Sequence, residues 1–384
     1  MEYSMIVGFD AKRIVRNGTG LGSYGRTLTN DLAAIGKLDL RLYAPDKGRD
    51  DLRLQVPERD NLHYAYPLSS FPGPFASLYK SWWRSRGIVG QLQNDGIQVF
   101  HGLSGELPVG IRQTGIKTVV TIHDLIFMRH PEYYNWMDVQ IYKHKFFKTL
   151  QEADRIVAIS ECTRRDISEL GGIPQERIDL IYQSCASRFS AQADERLCMA
   201  ARLRYGLPER YVLCVGTIEE RKNTLLALRS LHWLPDDIHL VLVGRATPYA
   251  RKVMATATNE NLDSRLHLLH GISDQDLPAL YAQAEAFVYP SRYEGFGIPI
   301  IEAIRMGLPV VACTGSCLEE AGGPDNLYVD PDDAEAMAMA LQKVLRGSEG
   351  RGARIERSRD YVCRFENTGA AQRFADLYDE LVGC

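Results

Sequence analysis

The sequence predicts an α/β protein made of two Rossmann-like, doubly wound parallel-sheet domains facing a central cleft. Two observations predict it. A chain of 384 residues exceeds the size at which one hydrophobic core keeps growing, and short apolar runs alternate with amphipathic helical stretches from one end to the other. In the first half the strand candidates are Met5 to Phe9, Leu38 to Tyr43, Val99 to His101, Lys117 to Ile122, Arg155 to Ile159 and Ile178 to Tyr182. In the second half they are Tyr211 to Val215, His239 to Val243, Leu266 to Leu269, Ala286 to Tyr289, Pro309 to Ala312 and Leu327 to Val329. Between them, Gln183 to Asp194 is rich in Ser, Ala and Gln without a clear period and reads as a linker. This sets a first domain at residues 1–185 and a second at 186–365. Beyond it, Thr368 to Leu381 places Ala371, Phe374, Leu377, Tyr378 and Leu381 on one helical face, which needs a surface to cover.

Composition narrows the function classes. A formal net charge of -4 gives no global attraction to nucleic acid or to an acidic membrane face. Glu2 and Asp10 near the start argue against a secretory leader, and no apolar run approaches the roughly 18 residues of a membrane span. The eight cysteines are scattered without a C-x-x-C pair, as expected of reduced thiols in a cytoplasmic protein without zinc.

The most informative segment runs from Pro290 to Gly307. A strand ends at Tyr289, a glycine-bearing loop follows, Pro299 pre-sets the first turn of a helix and Gly307 closes it. The amides of Gly295, Phe296, Gly297 and Ile298 then stand at the positive end of a helix dipole, where phosphate binds. Glu294 and Glu302 flank that place, and carboxylates accept hydrogen bonds from ribose and hexose hydroxyls. A second cluster follows the second domain's first strand, where Arg221 and Lys222 open the next helix. Two fixed cations there would neutralise a diphosphate leaving group. Standing alone, such a pair is more often a solvated surface pair.

Three further motifs are ambiguous by themselves. Gly20-x-Gly22-x-x-Gly25, with Asp46 beyond it, has the dinucleotide-binding spacing. Its first glycine, however, lies about ten residues past the strand, which suits a long glycine loop with a helix starting near Ser23. His123, in Thr121-Ile-His-Asp124, either reaches a sugar hydroxyl or is structural, with Asp124 as a cap. Asp274-x-Asp276 and Asp330-x-Asp332 are explained as helix caps rather than metal ligands. Tyr79 to Arg86 and Tyr142 to Lys148 mix aromatic and basic residues; the plain reading is two amphipathic helices with Trp and Phe inward, and the other is a lipid-facing surface.

Taken together, these motifs resemble glycosyltransferase family 4 along nearly the whole chain. The matching pieces are Gly20-Leu-Gly-Ser-Tyr24, His101 to Pro108, Thr121 to Asp124, Gly216 with Arg221-Lys-Asn223, Gly271 to Asp274, and Tyr293 to Pro309. The resemblance implies a GT-B fold whose last helix, residues 366–384, completes the N-terminal domain. It implies metal-free transfer of a hexose from a nucleoside-diphosphate sugar with retention, GDP-mannose favoured and UDP-sugars next, with no other cofactor. It makes the first domain acceptor-side and the second the nucleotide-sugar binder. Arg221 and Lys222 would hold the diphosphate, Glu302 the ribose and Glu294 the donor sugar. The amides of Gly295 to Ile298, with Gly20 and Gly22, would contact phosphate or sugar, His123 the reacting sugar and Ile272 the base. Thr217 stands where several relatives carry an additional arginine. Glu106 falls in an acceptor-side loop. The acceptor implied is a glycan or a lipid-linked sugar in surface polysaccharide synthesis, with peripheral contact at the inner membrane face through the first domain. Two rival functions are a nicotinamide-dependent oxidoreductase and a sugar-nucleotide-binding protein without turnover.

Overall fold

The structure, a computed structural model, describes residues 5–68, 76–189, 193–366 and 369–383. Glu2, Thr368, Cys384 and residues 190–192 of the expected linker lie outside them. The chain divides into two compact units, one of Met1–Gln183 with Thr368–Cys384 and one of Ser184–Asn367.

In unit 1 the strands are β1 (Met5–Asp10), β2 (Leu38–Tyr43), β3 (Leu62–Ala65), β4 (Val99–Gly102), β5 (Lys117–Ile122), β6 (Arg155–Ala158) and β7 (Ile178–Leu180). They form one parallel sheet in the order β3-β2-β1-β4-β5-β6-β7. The edge strand β3 was not expected. Its four residues, Leu-His-Tyr-Ala, are too short and too polar to read as a strand, and they are held by pairing with β2. Central strands are apolar on both sides because helices cover both faces; Val7, Phe9, Val99, Val119 and Val157 are fully buried.

The helix Ala370–Val382 belongs to this unit. Phe374, Ala375, Leu377 and Tyr378 are buried in the same apolar cluster as Phe9 and Leu32, each large side chain worth about 1.5–3 kcal/mol of burial. Its register is fixed by a polar contact as well: the Tyr378 hydroxyl lies 2.7 Å from Nδ1 of His101, whose Nε2 lies 2.8 Å from the Thr121 hydroxyl. Burial pushes the His101 imidazole down to about 3, so it stays neutral at pH 7.

Unit 2 repeats the plan with β8 (Tyr211–Val215), β9 (His239–Val243), β10 (Leu266–Leu269), β11 (Ala286–Tyr289), β12 (Val310–Cys313) and β13 (Leu327–Val329). The parallel order is β10-β9-β8-β11-β12-β13. In both sheets the strand order reverses once, between β1 and β4 and between β8 and β11. Ligands of doubly wound sheets bind beyond the carboxyl ends of the strands at such points.

Candidate functional site

In unit 2, two segments leave the sheet at the β8/β11 reversal. After β8, Glu220–Lys222 form a single 3-10 turn, and Asn223 then adopts a left-handed backbone with φ of 51°, which a short polar side chain tolerates. Its Nδ2 donates to the Pro331 carbonyl at 2.7 Å and pins the turn. Arg221 and Lys222 are thereby directed inward, with side chains only 15% and 14% exposed. Both meet Glu294, which follows β11: Nη1 of Arg221 lies 3.0 Å from Oε2, and Nζ of Lys222 lies 2.6 Å from Oε1. Lys222 also donates to the Tyr289 hydroxyl at 2.7 Å, and Arg221 to the Tyr293 carbonyl at 2.6 Å and the Glu219 carboxylate at 2.7 Å. Burial would raise the Glu294 carboxyl, but Lys222 and Arg221 outweigh it and hold it at about 2. Burial would likewise lower Lys222, and Glu294 keeps it above its ordinary range instead.

The loop after Glu294 is fixed by packing. Phe296 is buried with its ring 5.2 Å from that of Phe365. The thiol of Cys317, itself fully buried, donates to the carbonyls of Glu294 and Phe296 at 3.2 and 2.8 Å. In a planar trans peptide C=O and N–H point in opposite directions, so the amides of Gly295 and Gly297 are directed away from Cys317. Gly297 has φ of 112°, a conformation only glycine adopts readily, and it caps the helix Ile298–Arg305, with Pro299 in the first turn. Glu302 lies in that helix, half-buried, accepting from the Tyr281 hydroxyl at 2.9 Å. Burial pushes its carboxyl up to about 7, against the opposing pull of Tyr281 and Arg188. Ile272 is half-buried in the connection between β10 and the helix Leu277–Gln283.

In unit 1, the glycine segment is not a loop before a helix but the helix's own first turns: the helix spans Gly20–Ile35 and starts three residues earlier than expected. The amides of Gly22 and Ser23 both donate to the Thr19 carbonyl at 3.0 Å, so Gly20 and Leu21 carry the amides ahead of the first bond. Gly22 is there because the chain approaches itself: a Cβ would lie 1.8 Å from the Asn17 carbonyl oxygen. That explains Gly22 without a dinucleotide; at Gly25 a Cβ would lie 2.9 Å from the Ile14 side chain, and Gly20 has open space. Asp46, which that reading needs for a ribose, is instead paired with Arg16 and with Lys80 at 2.7 Å.

His123 follows β5 and is buried. Its Nε2 lies 2.8 Å from the Leu103 carbonyl and its Nδ1 2.9 Å from Nε2 of Gln183, which makes it the Nε2-protonated tautomer. Burial holds it at about 4, so it is neutral at pH 7. The ring of Tyr24 stands edge-on to it at 4.7 Å, tying the Gly20–Ile35 helix to this strand end. Asp124 caps the turn that follows, accepting from the Ile126 amide at 3.2 Å.

Beside them runs a chain of charges. Arg84 bridges Asp10, at the end of β1, at 2.6 Å and Glu106, in the loop after β4, at 2.7 Å; Lys145 meets Glu106 at 3.2 Å. Arg84 reaches inward from a π-helical turn, Trp83–Gly87. Of the two aromatic-basic segments, each turns one ring in and its neighbour out: Trp83 and Phe146 are buried, Trp82 and Phe147 exposed. Successive helix positions lie about 100° apart, so both rings of a pair cannot face one core. The helix Trp136–Glu152 exposes Trp136, Met137, Ile141 and Phe147.

Among the described residues no three His, Cys, Asp or Glu side chains are grouped to hold a metal ion, and no helix is long and apolar enough to cross a membrane. Asp333 caps its helix, accepting from the Ala336 amide. Before the other helix the Ser273 hydroxyl accepts from the Asp276 amide, while the Asp276 carboxylate makes no cap bond and instead accepts from the Tyr205 hydroxyl at 2.6 Å and from Arg204 at 2.8 Å.

Comparison with known families settles which lineage built this arrangement. A family model described as glycosyl transferases group 1 matches residues 201–361, and one described as Glycosyltransferase Family 4 matches residues 18–184. The chain belongs to glycosyltransferase family 4. Its similarity to the O-antigen chain mannosyltransferase B of Escherichia coli is 30% identity over 258 residues, 66% of each chain. Its similarity to the serotype-specific mannosyltransferase WbdA of Escherichia coli is 28% identity over 263 residues, 65% of this chain and 32% of that one. The match thus spans just under two thirds of the first relative and about a third of the second. The fold is GT-B: sucrose-phosphate synthase from Thermosynechococcus elongatus superposes with a TM-score of 0.78 over 99% of both chains at 21% identity.

In this family 4 member, the residues singled out from sequence fall into two groups. Arg221, Lys222 and Glu294 form one ion-paired cluster in unit 2, with Gly295–Ile298 and Glu302 on the loop and helix that continue from it. Gly20, Gly22 and His123 belong to unit 1. Sequence reasoning missed Asp10, Arg84 and Lys145. Arg84 and Lys145 sat in the aromatic-basic segments, but only the π-helical turn reveals that Arg84 points at Asp10 and Glu106.

Proposed function

We propose that the chain is a metal-independent retaining hexosyltransferase of the cytoplasm, moving mannose from GDP-mannose, with UDP-sugars the next donors, to a glycan or lipid-linked acceptor in surface polysaccharide synthesis. One observation carries the reading: Arg221 and Lys222 converge on Glu294 at the β8/β11 reversal, beside the amino end of the Ile298–Arg305 helix. A guanidinium has five donors and an ammonium three, so both retain donors for a diphosphate beyond those they spend on Glu294. The mannosyltransferase names of the relatives support the sugar.

In this reading, Glu302 accepts from the ribose hydroxyls, Glu294 from the donor sugar, and the amides of Gly295–Ile298 from their helix end face the phosphates. Ile272 lies against the base. The bond from the anomeric carbon to the diphosphate breaks as Arg221 and Lys222 take up the charge on the leaving oxygen. The acceptor oxygen bonds the same face, and its proton goes to the departing phosphate oxygen. His123, neutral and bonded at both ring nitrogens, contributes as a positioning group with Gly20 and Gly22, not as an acid or base.

The exposed face of the Trp136–Glu152 helix, with Lys143 and Lys148 beside its rings, suits a peripheral contact with anionic lipid. Sedimentation with phosphatidylglycerol vesicles, weakened in Trp136→Ala, supports that contact, and indifference to the vesicles removes it.

Thermal-shift screening of nucleoside-diphosphate sugars tests the donor, since a ligand of the folded state raises its apparent stability. GDP-mannose is expected to give the largest shift, and release of GDP on adding mannan oligosaccharides to mark turnover. A shift with NAD and none with any sugar nucleotide would reverse the proposal. Binding without release of GDP under any acceptor would favour the non-catalytic reading.

A further inference from the structure

Of the two carboxylates that frame the loop after β11, Glu294 is ion-paired with two cations, whereas Glu302 has no ion pair among the described residues. Its single side-chain bond there comes from the Tyr281 hydroxyl, 2.9 Å from Oε2, and Oε1 accepts from no described residue. Tyr281 is fully buried, with its ring edge-on to Phe189 at 5.5 Å and tilted against Phe287 of β11 at 5.4 Å between centroids. Phe189 is itself fully buried, at the end of a single 3-10 turn, Ser187–Phe189. Arg188 of that turn lies 3.5 Å from Asp274, two residues past Ile272. Burial and the Glu302 charge push the Tyr281 phenol well above its ordinary range, so it stays protonated and donates. A phenol packed between two rings cannot follow a carboxylate that swings away, so the bond fixes the carboxylate.

We propose that Tyr281 is a positioning residue for the ribose of the donor: its hydroxyl fixes Oε2 of Glu302 and leaves Oε1 to accept from the vicinal 2′- and 3′-hydroxyls, with Phe189 holding the phenol in place. The inference rests on the reading of Glu302 as the ribose acceptor and adds to it a support drawn from the turn Ser187–Phe189. A donor bonded to the ionised carboxylate favours that form. An ionised carboxylate accepts from two hydroxyls at once, whereas a protonated one spends acceptor capacity on its own proton. Arg188 acts in the same sense through its charge, and Asp274 acts against both. The Cys185 thiol, which burial pushes up to about 12, stands neutral beside Glu302, and Arg305 follows one turn along the same helix. Deleting the phenol oxygen alone, with the rings still packed, thus loosens the hold on the ribose by moving the Glu302 titration upward.

The test compares the full chain with its Tyr281→Phe, Arg188→Gln and Glu302→Gln variants. With glutamate side-chain carboxyls labelled with carbon-13, the Glu302 NMR signal is the one missing from Glu302→Gln. Its midpoint at about 7 should move up in Tyr281→Phe, and by less in Arg188→Gln. Calorimetric titration across neutral pH then compares GDP with 2′,3′-dideoxy-GDP, and UDP with its dideoxy analogue, so that titration of the phosphates cancels. The preference for the hydroxylated nucleotide should rise several-fold with pH in the wild type, rise only at higher pH in Tyr281→Phe, and stay flat in Glu302→Gln. Arg188 is 37% exposed, so its variant keeps the test valid if Tyr281→Phe fails to fold. An unmoved midpoint in the folded variants, or a preference that keeps the wild-type pH profile, would overturn the inference and leave the donor reading intact. Binding of neither GDP nor UDP to the wild type would instead sink the donor reading, and a midpoint that still moves would leave Tyr281 as the group that sets the Glu302 charge.

Discussion

The ammonium of Lys222 lies 2.6 Å from Oε1 of Glu294, whose other oxygen meets Arg221 at 3.0 Å. One carboxylate thus sets the direction of both cations. Donors fixed in advance need no reorganisation at the moment of reaction, which is where electrostatic catalysis gains most.

Removing one of those donors should fall on turnover. Lys222→Ala is expected to lower kcat about 10²- to 10³-fold, the usual effect of deleting one strong transition-state donor. Glu294→Gln should also slow turnover, because it frees the cations from their common anchor. Steady-state kinetics on the folded variants check both, and wild-type kcat in Lys222→Ala would be inconsistent with the mechanism.

Glu302 makes stability depend on pH in an unusual direction. Burial raises its carboxyl to about 7 in the fold from an ordinary value of 4.5, so the folded chain binds this proton more tightly than the unfolded one. Its contribution is complete below pH 4.5 and is lost as pH rises through 7. Melting temperatures of the wild type should therefore fall more steeply between pH 5 and 8 than those of Glu302→Gln. Parallel curves would place the carboxyl in its ordinary range.

Two neighbouring glycines should behave oppositely. A Cβ at Gly22 would meet the Asn17 carbonyl oxygen at 1.8 Å, whereas one at Gly20 has nothing within 4 Å. Gly22→Ala should lower the melting temperature and donor turnover together, and Gly20→Ala should leave the melting temperature near wild type. Thermal denaturation of the pair is the check.

The terminal helix should be required for unit 1. Phe374 is fully buried beside His101 and Tyr378. Phe374→Ala is expected to cost about 3–5 kcal/mol, read from urea unfolding.

Most of the fold was legible because parallel strands buried on both faces are continuous apolar runs; β8 to β11 match their expected limits. The short edge strand β3 was hidden because its order comes from pairing with β2 and not from its own pattern. The cluster in unit 2 was legible for a related reason: a strand end, a positive-φ glycine and a proline leave a local signature at Gly297 and Pro299. The charge chain of unit 1 left none. Asp10, Arg84 and Glu106 lie far apart in sequence, and their convergence depends on a π-helical turn and on where β1 and β4 end. The helix start at Gly20 was read three residues late, because glycines look like loop residues, whereas Gly22 is required by the close approach of the chain to Asn17, a tertiary contact.

The most direct test of the central claim, that a diphosphate lodges between Arg221, Lys222 and the amino end of the Ile298–Arg305 helix, is calorimetric titration with GDP of the wild type and of Lys222→Met. The account predicts measurable binding to the wild type and at least a tenfold weaker constant in the variant, about 1.4 kcal/mol or more. Equal affinity in the two proteins would contradict it.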